Sequence, residues 1–226
     1  MESVFSIIFA FLVEAIILLQ YASRLFSPKR SLSGRLIVLS LLYICLCGTA
    51  FFNIEWLNML LYLLANFLFL VTQYDVKWRA AAFHSALLAA VMGMCELIVY
   101  GIIARTAPHF YMQMSSFHNT LLFILCSKIS FFAVIYLLTH LFKSLQKTAD
   151  PYDSSVLLLM IIPVTSVFIM LTFVGMGDQY TLTPETNRMI SLSAFFLLLM
   201  NLLVFGINQY NREKNRKYTE VQLLLQ

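Results

Sequence analysis

Charged side chains are scarce in this chain: Asp, Glu, Lys and Arg make up 12% of its 226 residues, where a soluble domain has about 25%. With 61% of the chain hydrophobic, 20 Phe among it, a water-soluble core of this size cannot hide the apolar excess. Helix breakers are also few, with 7 Gly and 5 Pro, so long uninterrupted helices are permitted. The 4 cysteines, Cys45, Cys47, Cys95 and Cys126, all fall in apolar runs and make no Cys-x-x-Cys. That excludes a zinc ribbon and a disulfide scaffold and leaves free thiols packed as small hydrophobes. A net charge of only +4, spread between apolar runs, excludes a nucleic-acid surface. The N-terminus has Glu2, no cation before the first apolar run and no small-x-small site after it, so the run reads as a retained span and not as a signal peptide. No repeat, Gly/Ser linker or low-complexity tail divides the chain.

Several chemistries lack their residues. There is no His-Glu-x-x-His for a membrane zinc protease and no Glu-Glu pair for a prenyl-peptide-type protease. There is no Lys in the last apolar run for a retinal-type Schiff base, and no Gly-rich phosphate loop. His118 and Cys126 are the closest Cys–His pairing, but an apolar helix without a base leaves that thiol inert. His109 and His118 have no acidic helper, so neither metal nor cofactor is expected.

What the chain has is seven apolar runs long enough to cross ~30 Å of hydrocarbon as helices. They lie roughly at Ser3–Ala22, Arg35–Phe52, Trp56–Gln73, Ala80–Ala104, Thr120–Phe142, Ser155–Gly175 and Met189–Asn208. Pro28, Pro108, Pro151 and Pro184 fall between them, and Pro163 inside the sixth should kink it. The fold expected is an all-α polytopic bundle. With the N-terminus outside, the inner segments hold Arg24, Lys29, Arg30, Arg35, Lys77, Arg79, Lys143, Lys147, Arg212, Lys214, Arg216 and Lys217, twelve of the 15 Lys and Arg. This is the asymmetry of the positive-inside rule. Only Asn53-Ile54-Glu55 separates runs two and three, so a re-entrant pair there would leave both ends where they are.

Glu14, Glu96 and Lys128 lie within spans, where a lone charge costs at least ~2.5–3.5 kcal/mol. Glu96 and Lys128 are each about 12 Å below the outer end of consecutive, antiparallel helices, which predicts an ion pair. Ala82, Ala86, Ala89 and Gly93 make a small-residue stripe that Glu96 continues, turning it toward protein. Glu14, near mid-depth, has no evident partner. The pair serves as structural glue, as part of signal transmission or as an ion pathway.

Two outer loops, Arg105–Asn119 and Met176–Arg188, are the candidate ligand surface, with Arg105, His109, Phe110, Tyr111, Phe117, His118, Asp178, Tyr180 and Glu185. Aromatic and Met side chains there suit an adaptable apolar site; an interfacial aromatic belt is the other reading.

Residues 1–208 are then a transmembrane bundle, and 209–226 a cytoplasmic exit helix. Nothing breaks the chain between Met189 and Gln226. Arg212, Glu213, Lys214, Arg216 and Lys217 suit the anionic inner leaflet. Tyr218, Val221 and Leu225 follow at the spacing of a coiled-coil seam, or of an amphipathic tail lying on the membrane. Together with the apolar spans, Asn211-Arg212-Glu213-Lys214-Asn215-Arg216-Lys217-Tyr218-Thr219-Glu220-Val221-Gln222 resembles the membrane sensor half of Agr-type quorum-sensing histidine kinases (GHKL family). The resemblance implies a multi-pass protein of the bacterial cytoplasmic membrane that recognises an extracellular peptide, dimerises through its last helix and serves a two-component system. The chain departs from that pattern in having no His after Tyr210 and no ATP-binding boxes. It is therefore expected to be a sensor without its kinase, not an enzyme, with a response regulator downstream only where a kinase domain is supplied. The alternative is a small transporter or permease subunit using Glu96 and Lys128.

Overall fold

A computed structural model describes residues 2–52, 54–107, 116–141, 155–179 and 184–224. They form seven helices, α1 (Glu2–Leu25), α2 (Leu32–Ala50), α3 (Glu55–Gln73), α4 (Trp78–Thr106), α5 (Phe117–Leu141), α6 (Ser155–Gln179) and α7 (Pro184–Leu224). Their starts and stops have local causes. Arg24 sits in the last turn of α1, where a cation meets the negative end of the helix dipole. Ser31 caps α2, its Oγ accepting from the Gly34 amide at 3.4 Å, which satisfies an otherwise orphaned donor. Pro184, expected in a loop, is the first residue of α7. A first-turn proline loses no hydrogen bond and already has a helical φ, so α7 begins five residues ahead of the apolar run. Pro163 lies inside α6.

Six of these helices are long and apolar enough to cross a membrane, including α2 and α3 separately. In α6 the apolar stretch described is Leu159–Gly175. The protein is a multi-pass helical membrane protein. Its lateral surface fits this: Leu12, Ile16, Ile37, Leu41, Ile44 and Phe168 are all exposed, which lipid tolerates and water does not. Trp56 and Trp78, both exposed, stand at opposite ends of the bundle, as interfacial indoles do.

Neighbouring helices alternate in direction, and side-chain contacts fix which ends share a level. At one end the Lys29 amide donates to the Gln73 carbonyl and the Asp75 amide to the Ser27 carbonyl, both at 2.9 Å. Arg24 of α1 donates to Thr139 Oγ1 of α5 at 3.3 Å and lies over the Tyr136 ring. Arg35 donates to Ser23 Oγ at 3.1 Å and Tyr74 Oη at 3.0 Å. Arg24, Lys29, Arg30, Arg35, Lys77 and Arg79 therefore gather at one end. At the other, Phe5 of α1 meets Phe117 of α5 edge-on, and Tyr100 of α4 meets Phe123 of α5, both at 6.3 Å.

The core is built on α4, which packs against α3, α5, α6 and α7, while α1 lies between α2 and α5. From Phe83 to Cys95 every residue of α4 is buried, the pattern of a helix enclosed on all sides. Small residues allow it. A Cβ at Gly93 would overlap the Met170 side chain of α6, and one at Gly101 would overlap Ser191 of α7. Ala82, the first residue of the anticipated stripe, is only half-buried. At the basic level His84 is fully buried and shares a 2.5 Å hydrogen bond, Nδ1 to Oη, with Tyr21. The rings of Phe26, Phe83 and Phe205 surround it, giving a polar clasp between α1 and α4.

Candidate functional site

Three charged side chains converge in the half of the bundle away from the basic end. Lys128 of α5 places Nζ 2.5 Å from Oε1 of Glu14 on α1 and 2.5 Å from Oε1 of Glu96 on α4. The Glu96–Lys128 pair is the one the helix depths anticipate. The Glu14 contact corrects the expectation that Glu14 lacks a partner: α1 packs against α5, so its mid-depth carboxylate reaches the same ammonium. The Lys128 and Glu14 side chains are each only 5% exposed, whereas Glu96 is 37% exposed. Glu96 is thus not sunk in the helix interface; it stands at the wall of a half-open pocket.

That space is a cavity of about 290 Å³. Glu14, Glu96, Asn58 and Tyr62 supply its polar lining, and Phe11, Met59, Met92, Leu97, Met170 and Val174 are among its apolar walls. Asn58 is in the first turn of α3 and Val174 near the end of α6. Glu96 is ten residues before the end of α4, about 15 Å along the axis. The cavity therefore runs from mid-depth toward the end opposite the basic cluster.

The Lys128 side chain faces two carboxyl groups, and Oε2 of Glu14 is buried with no hydrogen-bond partner among the described residues. Oδ1 of Asn58 is in the same state. Buried acceptors without donors cost about 1–3 kcal/mol each, and more when charged, so this is an energetically expensive arrangement for packing alone.

Two walls of the cavity are tied to α7. Leu97, next to Glu96, accepts at its carbonyl a 3.1 Å hydrogen bond from Ser191 Oγ of α7. On α6, four residues before Met170, Ser166 Oγ accepts at 2.8 Å from Nδ2 of Asn201, a fully buried residue of α7. The helix between these anchors and the chain's polar end is uninterrupted: α7 has 41 residues, a length of about 60 Å, or twice the hydrocarbon thickness.

The candidate loop residues are more dispersed. Arg105 is exposed in the last turn of α4, His118 is exposed at the start of α5, and Glu185 is exposed in the first turn of α7. Phe117 is packed on Phe5. His109, Phe110, Tyr111 and Tyr180, like the Asp178 side chain, lie outside the described residues. So does Leu225; Tyr218 and Val221 are exposed. Asn58, Tyr62, Met170, Ser191 and Asn201 escaped the sequence reading. Asn58 and Asn201 carried a usable signal, an amide inside an apolar run; the others had none. Comparison of the chain with protein-family models, with curated proteins and with solved structures finds no match.

Proposed function

We infer that this multi-pass membrane protein is a sensor module. A ligand, a small extracellular peptide in this reading, engages the end away from the basic cluster, and α7 carries the response across the membrane. In this reading the chain crosses seven times, with the N-terminus outside and the basic end, with the α7 extension, in the cytoplasm, as the positive-inside rule favours. The observation that carries the reading is the unbroken α7, hydrogen-bonded near its outer end to the helix that bears Glu96. A ligand that prefers one packing of α4 and α6 shifts α7 with them, since it can move only an equilibrium whose states it binds differently. The exposed Tyr218 and Val221 then suit a homodimeric seam. This is the arrangement of the Agr-type sensors that residues 211–222 resemble, in which a kinase domain passes the signal to a response regulator.

A transporter is the second reading, favoured by the carboxylate-lined cavity. Glu96→Gln separates the two when tested with deletion of the chain after Tyr210. A sensor loses its response in both variants with no change in solute flux. Abolished uptake of a solute in Glu96→Gln, with uptake retained in the deletion, overturns the sensor reading in favour of transport.

A further inference from the structure

Between α5 and α7 the lateral surface of the bundle carries a slot of about 540 Å³. α5 packs against α1 and α4, and α7 against α4 and α6, so the two helices flank α4 and leave a furrow between them. Val134, Leu137 and Leu138 line it from α5, and Leu199, Gly206 and Tyr210 are among its lining from α7. Gly206 presents no side chain there, and Leu137 and Leu203 are both exposed. Among the described residues of the lining, Tyr210 alone carries a polar group.

The extent of the slot decides what fills it. Leu199 to Tyr210 is about 16 Å along α7, half of the ~30 Å of hydrocarbon in a bilayer and so the depth of a single leaflet. That leaflet is the one at the basic end: Phe205 of α7 meets the His84 ring, and Thr139, next to Leu138, accepts from Arg24. A helix from a second copy would run through both leaflets, whereas an acyl chain ends at the midplane. Past the slot the charge is positive. Lys214 and Lys217 lie four and seven residues beyond Tyr210, on the same helix face, and both are exposed. Lys217 pairs with Glu213 at 3.1 Å, and Lys214 Nζ stands 5.8 Å from the centre of the Tyr218 ring. Two ammonium groups against one carboxylate leave this face net positive. Lys214 is about 6 Å beyond Tyr210, and a lysine stem that long reaches back to a phosphate at the interface.

We propose that the slot between α5 and α7 binds an anionic phospholipid of the leaflet at the basic end. One acyl chain lies along Leu199 to Tyr210, and Lys214 and Lys217 meet the negative headgroup. The site requires neither signalling through α7 nor a particular threading of the chain.

Native mass spectrometry of the delipidated full chain tests it, with phosphatidylglycerol and phosphatidylcholine of the same acyl chains as probes. One phosphatidylglycerol per chain should be retained, about fivefold or more tighter than phosphatidylcholine, the factor that one lysine contributes near an anionic headgroup. The double variant Lys214→Gln, Lys217→Gln changes only exposed side chains and should bring the two lipids to within about twofold of each other. Gly206→Leu, which puts a branched side chain into the slot, should lose retained lipid of either kind while circular dichroism and thermal unfolding stay as in the parent. Where Gly206→Leu fails to fold, the lysine variant still decides. The proposal is overturned if the parent binds the two lipids alike, if the lysine variant keeps the parent's preference, or if folded Gly206→Leu retains lipid as the parent does. A lipid-free parent that is dimeric, and becomes monomeric in Gly206→Leu, also overturns it, in favour of a second copy seated in the slot.

Discussion

Ser191 of α7 donates its hydroxyl to the carbonyl of Leu97 on α4 at 3.1 Å, one residue beyond the carboxylate that meets Lys128. The bond is possible because Gly101, one turn further along α4, has no side chain to hold α7 away. The charge cluster and the long helix thereby meet at the Leu97 backbone carbonyl.

The Gly101 contact predicts opposite signs for two glycine substitutions. In an exposed helix, Gly→Ala stabilises by about 1 kcal/mol, and Gly48→Ala, with open space around the new methyl, should do so. Gly101→Ala drives a methyl into Ser191 and should destabilise by about 1–3 kcal/mol. Unfolding titrations in mixed micelles distinguish the two; equal effects would mean that α4 and α7 are not in close contact there.

Lys128 is the cation both carboxylates share, so its loss should cost more than that of either partner. Lys128→Met leaves two unpaired carboxylates in lipid and should destabilise by about 3–5 kcal/mol. Glu14→Gln leaves the Glu96–Lys128 pair intact and should cost much less. The triple variant Glu14→Gln, Glu96→Gln, Lys128→Met should recover most of the stability lost by Lys128→Met alone. Additive losses in this series would contradict a shared cluster.

The proposed membrane orientation, with the N-terminus outside, predicts where a polar thiol reagent reaches. With the four native cysteines replaced by serine, His118→Cys should react with a membrane-impermeant maleimide in intact cells. Arg30→Cys should react only after the membrane is opened. The reverse pattern would invert the topology, and labelling of both in intact cells would remove one span between them.

Much of this was legible in the residues, and the remainder had physical reasons not to be. Apolar run length shows the spans because hydrocarbon thickness is fixed. The Glu96–Lys128 pair could be read because consecutive helices are joined by a loop, which sets their relative depth. Glu14 could not be assigned to Lys128, because three helices, α2, α3 and α4, intervene in sequence between them, and periodicity does not say that α1 lies against α5. Pro184 misled for a similar reason: proline marks a break only when its missing amide is needed, and at the first turn of α7 it is not. The cavity was invisible because it arises where walls from α1, α3, α4 and α6 fail to close, a property of side-chain shapes and not of any one run.

The central claim is that an event at the charge cluster moves the polar end of α7. It is tested most directly by the distance between spin labels at Arg30→Cys, on the basic end of the bundle, and Val221→Cys, on the α7 extension. Pulsed electron–electron resonance in nanodiscs would compare the cysteine-free parent with the same protein carrying Glu96→Gln. The account predicts a displaced or redistributed distance of about 1–2 Å or more, the size of helix shifts in switching proteins, with helical content unchanged. Superimposable distance distributions in the folded pair would contradict it.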